Sequence, residues 1–164
     1  MPMSAELVMT VSPDWKELER VNSTAFEFLR KQHLTDECVN RFTMVICELV
    51  ENGIKYGSRE LNGATVQVQI RITENNFTVE VSNPFNASSL PFLHELDHTL
   101  QWVRGFQDPF EAYLARMKAI SHEAPEANKS GLGIARIAYE GRASLDFFVN
   151  DNNTLNVSAV AIIE

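Results

Sequence analysis

Residues 44–57, Met44-Val45-Ile46-Cys47-Glu48-Leu49-Val50-Glu51-Asn52-Gly53-Ile54-Lys55-Tyr56-Gly57, decide how the rest of the chain is read. Met44, Val45, Ile46, Leu49, Val50 and Ile54 recur at helical spacing and make an apolar face broad enough for a largely buried helix. Glu48 and Asn52 are four apart, one turn above each other on one face. A carboxylate in such a run is costly to bury unless something satisfies it. A bound cation, phosphate chemistry or a polarised hydroxyl would do so. Lys55 and Gly57 then close the helix with the residue types that helix ends favour. Taken alone, the stretch fits equally well a core helix with two polar residues at its edge.

A second stretch changes the balance. Lys129-Ser130-Gly131-Leu132-Gly133-Ile134-Ala135 opens another apolar helix far downstream. Glu48, Asn52, Lys55, Tyr56 and Gly57, with Ser130 to Ala135 after them, resemble the N box and second glycine box of one ATP-binding fold. That fold is shared by histidine kinases, gyrase-type ATPases and anti-sigma-factor serine kinases (the GHKL superfamily), and the anti-sigma-factor kinases are the nearest likeness. The resemblance covers roughly residues 5–164. It implies one domain over residues 1–164, a two-layer α/β sandwich of the Bergerat type. The implied sheet is mixed and mostly antiparallel, with helices on one face.

The resemblance also implies ATP and Mg²⁺ as cofactors, with Asn52 as the metal-holding residue. Glu48 would be the catalytic base on a protein Ser/Thr hydroxyl or on water. Gly131, Leu132 and Gly133 would let backbone N–H groups and a helix N-terminus approach phosphate oxygens. Lys55 and Lys129 would neutralise phosphate charge. The family's second hairpin strand leads into Asp-x-Gly-x-Gly, whose Asp takes the adenine amino group. Here Val81-Ser82-Asn83-Pro84-Phe85 stands in that place. Asn83 offers a side-chain oxygen for the same bond, the glycines are missing, and Pro84 reads as stiffening a turn.

The implied function is a regulatory ATP-binding protein that phosphorylates a small partner on serine or threonine. By analogy the partner is a sigma factor or an antagonist-type protein, and a homodimer is the implied assembly. The altered segment 81–85 motivates an alternative, a non-catalytic protein-binding module of the same fold.

Composition fits one soluble globular domain: 164 residues, 45% apolar and 22% charged. A net charge of −8 speaks against nucleic acid or an anionic membrane as partner. Residues 1–10 show no basic region followed by an apolar core, and no apolar run approaches a membrane span, so a cytoplasmic protein is expected. Cys38 and Cys47 are the only cysteines. On one helix their backbones stand roughly 13 Å apart, too far for a disulfide, and both read as small buried residues.

In chain order, residues 5–11 read as a strand stopped by Ser12-Pro13. Ser12 is the expected N-cap of a helix with Pro13 at its first position. Trp15, Leu18, Val21, Ala25, Phe28 and Leu29 mark one face of that helix to about Gln32, with His33 solvated at its end. Thr35 is the expected cap of the helix carrying Glu48. Asn62-Gly63 signals a turn before two alternating segments, Thr65 to Ile72 and Phe77 to Val81, expected as an antiparallel hairpin.

Residues 90–123 form a helical insert where the resembled family has its mobile lid. Leu93, Leu96, Leu100, Val103 and Phe106 mark its first helix. Phe110, Leu114, Met117 and Ile120 mark the second. A polar approach, Glu126 to Lys129, precedes the glycine box. Leu132 to Tyr139 then reads as a short helix ended by Gly141. Ala143–Val149 and Leu155–Ile163 read as a hairpin turned at Asn150–Asn153.

One rival motif stands in the insert. His94-Glu95-Leu96-Asp97-His98 matches H-E-x-x-H, the zinc-protease helix, which makes a metalloprotease the second alternative. Glu111, Glu123 or Glu126 would have to supply a third ligand, and the other histidines, His33 and His122, belong to no second motif. The expectation is a helix held by its leucines, without zinc.

Overall fold

Alternating apolar residues build a single five-stranded sheet in the computed structural model, which describes residues 4–57, 65–121 and 131–164. Its strands are β1 (Ala5–Val11), β2 (Val66–Ile72), β3 (Asn76–Pro84), β4 (Ser144–Val149) and β5 (Thr154–Ile162), in the order β1-β2-β3-β5-β4. Every pairing is antiparallel, so the parallel component of the expected mixed sheet is absent among the described residues. Val68, Ile70, Phe77, Val79 and Ala159 are fully buried on the inner face. Gln67, Gln69, Arg71, Thr78 and Glu80 occupy the alternate positions on the outer face.

The ladder explains Pro84. Phe85 N donates to Asn153 O at 2.7 Å, so the nitrogen one residue earlier faces the β2 side. Pairing with β2 has already ended at Gln67–Ser82. A missing N–H therefore costs nothing there. The expected stiffened turn is corrected: Asn83 and Pro84 are strand residues, opposite Leu155 and Thr154 of β5.

Helices cover the inner face. α1 (Glu17–Arg30) starts later than expected. Glu17 Oε1 accepts from Ser12 N at 3.4 Å and Asp14 Oδ1 accepts from Lys16 N at 3.0 Å. These carboxylates occupy the turn, Ser12 caps nothing, and Trp15 is left outside the helix, 54% exposed. Val21, Ala25 and Leu29 are buried at the expected spacing. His33 is exposed, with a positive φ of 58°.

α2 (Asp36–Gly57) is the central helix. Thr35 Oγ1 accepts from Cys38 N at 3.2 Å, the expected cap. Phe42 stacks on Phe77 of β3 with ring centroids 4.2 Å apart, both fully buried. Burial of two such rings contributes about 1.5–3 kcal/mol each and fixes the rotation of α2 over the sheet. Cys38 is buried and Cys47 only half-buried, both as free thiols.

The insert forms α3 (Leu90–Arg104) and α4 (Pro109–Ser121) after a short 3-10 turn capped by Asn86. Leu96, Leu100 and Val103 are buried in α3; Phe106 follows the helix. The expected face of α4 is corrected. Phe110, Leu114 and Met117 are exposed, whereas Ala112 is fully buried. A small residue lets α4 approach α5 (Gly131–Tyr139) closely, with Tyr113 set against Tyr139. Asn62-Gly63 and Glu126–Lys129 lie outside the described residues. No described helix is long and apolar enough to cross a membrane.

Candidate functional site

α2 presents Glu48, Asn52 and Gly53 beside β3 and α5. The Glu48 side chain is 17% exposed, and its Oε1 accepts from Arg136 Nη1 at 3.0 Å. Its Oε2 faces α5, where a Cβ added to Gly133 would lie 2.6 Å away. Asn52 is half-buried, and its Nδ2 is buried without a hydrogen-bond partner among the described residues. Asn83 is 5% exposed, and its Nδ2 donates to Gly53 O at 2.8 Å. A Cβ on Gly53 would meet Val81 Cγ1 at 3.0 Å, Asn83 Oδ1 at 3.1 Å and Val66 Cγ1 at 3.2 Å. Glycine lets α2 lie this close to β2 and β3 without displacing those side chains, which an added Cβ would push back by a few tenths of an ångström.

The glycine box is helical. Gly131, Leu132 and Gly133 form the first turn of α5. The fold thus joins Glu48 to Gly133 and sets Asn83 against the residue that follows Asn52. Lys55 is half-buried in the last turn of α2. Lys129 lies outside the described residues.

Arg136 was not singled out by sequence. It holds Glu48 and also donates through Nε to Glu140 Oε2. The second contact has a local signal, the i,i+4 spacing. The first joins residues 88 apart in sequence and has none. Glu140, then burial, dominates the arginine's surroundings, with the net effect of raising its pKa further. With 43% and 17% of the side chains exposed, the Arg136–Glu48 pair is worth at most about 1 kcal/mol to the fold.

Beside this pair lies an open cavity of about 370 Å³. Asn22 and Phe26 of α1, Thr43, Cys47, Glu48 and Glu51 of α2, and Arg136 are among its walls. Burial raises the Glu51 pKa, and the neighbouring Glu48 raises it further. Burial, with Glu51 next, pushes the Cys47 thiol up to about 11, which makes it a poor nucleophile.

The zinc alternative fares differently. His94 and His98 are exposed on α3, and Glu111 is exposed on α4. No group of three or more His, Cys, Asp or Glu residues that could hold a metal occurs among the described residues. Glu123, Glu126 and His122 lie outside them.

The polar groups at Asn52 and Asn83 are of another kind. Asn52 has a buried Nδ2 without a partner among the described residues, and Asn83 is a second buried amide at the strand end. These are polar atoms of the kind that a polar ligand satisfies. The space at the α-carbons of Gly53 and Gly133 is taken up by Val81, Asn83 and Val66 and by Glu48, respectively. An antiparallel sheet with helices on one face, and this cluster between its central helix and a glycine-led helix, define an ATPase-type sandwich. The chain belongs to the histidine kinase-like ATPase domain family, whose model matches residues 11–138. Among solved structures it is similar to one chain of the SiaB–SiaC complex from Pseudomonas aeruginosa. Identity is 16%, the TM-score is 0.65, and the match covers 96% of this chain and 89% of that one. At that identity the likeness is one of fold. No curated protein matches the chain.

Proposed function

We propose that this protein is a regulatory ATP-binding protein that moves a phosphoryl group onto a serine or threonine of a protein partner. The observation that carries the reading is the approach of Glu48 Oε2 to the open side of the Gly133 α-carbon, 2.6 Å from where a Cβ would stand. It sets a carboxylate against the turn whose N–H groups suit phosphate. Asn52 would hold Mg²⁺, Asn83 would meet the base, and Gly131 with Gly133 would admit the phosphates. Bound ATP with Mg²⁺ would supply the transferable group and neutralise its charge. Glu48 would take the proton of the attacking hydroxyl as that oxygen bonds to the γ-phosphorus and the bond to the departing ADP oxygen breaks. The partner is a protein by analogy, supported by a similar chain whose structure is that of a two-protein complex. A sigma factor or an antagonist-type protein is the partner class we assign, in a cytoplasmic setting.

Strand residues Asn83 and Pro84, where the resembled motif has Asp and Gly, favour a second reading: a binding module without turnover. Thermal denaturation with ATP, ADP and Mg²⁺ separates the two. A nucleotide at 100 times its Kd stabilises the fold by about 2.7 kcal/mol, several degrees in Tm. Asn52→Ala should abolish the Mg²⁺-dependent part of that shift. Glu48→Ala should keep the shift and lose turnover. No shift in the unmodified protein would favour the binding module.

A further inference from the structure

We infer that Arg136 is the positioning residue for Glu48, one link of a Glu140–Arg136–Glu48 relay that aims the free carboxylate oxygen at the glycine turn. The inference rests on the kinase reading above and deepens it.

The geometry divides the two Glu48 oxygens. Oε1 is taken by Arg136 Nη1 at 3.0 Å, while Oε2 points at the Gly133 α-carbon. A glutamate side chain has three rotatable bonds and loses considerable freedom when it is fixed. Something must hold it if one oxygen is to face an incoming hydroxyl with useful frequency. Arg136 is suited to this because its planar fork fixes direction as well as charge. The fork is itself held, since Nε donates to Glu140 Oε2, four residues on and just past the end of α5. Tyr113 Oη of α4 donates to the other Glu140 oxygen at 3.4 Å.

The bland alternative is a tie between α2 and α5 that serves stability alone. An ion pair this exposed adds little to a fold, and apolar residues beside it, Ile134 and Ile137, already bury α5. The pair also lies on the wall of the α1–α2 cavity, open to solvent, where a purely structural bond would be most weakened. Its consistent feature is direction: the proton that leaves the attacking hydroxyl goes to Oε2, and Arg136 keeps Oε1 out of that role.

The test uses the full chain with ATP and Mg²⁺, reading nucleotide affinity and orthophosphate release, with water as acceptor. Arg136→Met should leave the ATP Kd within about twofold and lower kcat about 10–100-fold, the range expected for a misaimed base. Arg136→Lys, which keeps the charge without the fork, should recover part of kcat. Glu48→Gln should be as slow as Glu48→Gln with Arg136→Met, because the arginine acts through Glu48. Unchanged kcat in Arg136→Met beside a wild-type-dependent loss in Glu48→Gln would overturn the relay and leave the kinase reading standing. Additive losses in the double variant would overturn it too. Wild-type protein that binds ATP without releasing orthophosphate would overturn the relay as an aim on water and leave transfer to a protein hydroxyl standing. Wild-type protein that does not bind ATP would overturn the kinase reading and the relay together.

Discussion

Asn83 Nδ2 donates to the carbonyl oxygen of Gly53 at 2.8 Å, joining the end of β3 to the C-terminal part of α2 next to Asn52. Asn83 stands where the resembled family carries an aspartate, yet an ionised aspartate could not make this bond. Asn83→Asp would set two acceptors against each other in a site that is 5% exposed. We expect Asn83→Asp to cost about 1–3 kcal/mol, read as a lower urea midpoint at neutral pH. Wild-type stability in that variant would show that the amide does not anchor α2.

Gly133→Ala tests the approach of α5 to Glu48. The added Cβ would stand 2.6 Å from Glu48 Oε2, the mobile end of a side chain, so the carboxylate can swing away. Alanine gains up to about 1 kcal/mol over glycine in a helix. The variant should therefore unfold within about 1 kcal/mol of the parent while orthophosphate release collapses. A strongly destabilised Gly133→Ala would mean that the contact is packing rather than aim.

The central helix was legible because its apolar period and its polar residues conflict. Val45, Leu49 and Ile54 demand burial while Glu48 and Asn52 demand partners. The first hairpin was legible from strict alternation, and the second from the turn residues Asn150–Asn153 between its strands. The start of α1 was not, since Glu17 accepts from the Ser12 N–H and Asp14 from the Lys16 N–H, side-chain bonds that hold residues 12–16 in a turn ahead of the helix. The face of α4 misled because Phe110, Leu114 and Met117 carry the apolar spacing, while close packing on α5 selects the small Ala112. Arg136 escaped notice because contact with Glu48 is made by topology, across 88 residues, and no local pattern announces such a pair.

Glu51 gives a pH signature. Burial, and then Glu48, raises its pKa above the ordinary 4.5, so the charged form is penalised in the fold. The stability associated with Glu51 is full below about pH 4.5 and is lost as pH rises through the raised folded value. Glu51→Gln should have a higher Tm than the parent at pH 7, with the gap closing toward pH 4. A gap that widens on acidification would contradict this assignment.

Cys47 reports on the same cavity. With its thiol pushed up to about 11, about one molecule in a thousand carries thiolate at pH 8. Alkylation by iodoacetamide should run about a hundredfold or more slower than for an ordinary exposed cysteine. Glu51→Gln removes a negative neighbour and should speed it. Mass spectrometry of Cys47 against time checks both statements.

The open edge at β4 carries its own guard. Asn150 N donates to Thr154 O at 3.0 Å, which fixes the phase of the hairpin and turns the backbone groups of Leu145, Phe147 and Val149 outward. Arg104 of α3 donates to Leu145 O, and Asp146 Oδ1 accepts from Phe147 N at 2.9 Å. The two guards face each other at 3.9 Å. At the opposite edge Arg20 Nη2 donates to Thr10 O at 3.0 Å. Each edge strand thus has an outward backbone group covered by a charged side chain, which discourages pairing with another chain. Removing Arg104 and Asp146 together, by alanine, should cost under about 1 kcal/mol, as both are solvent-exposed. It should nonetheless shift the size distribution upward with concentration in sedimentation velocity, relative to the parent protein. A double variant that sediments as the parent does at every concentration would show that edge β4 is protected by something other than this pair.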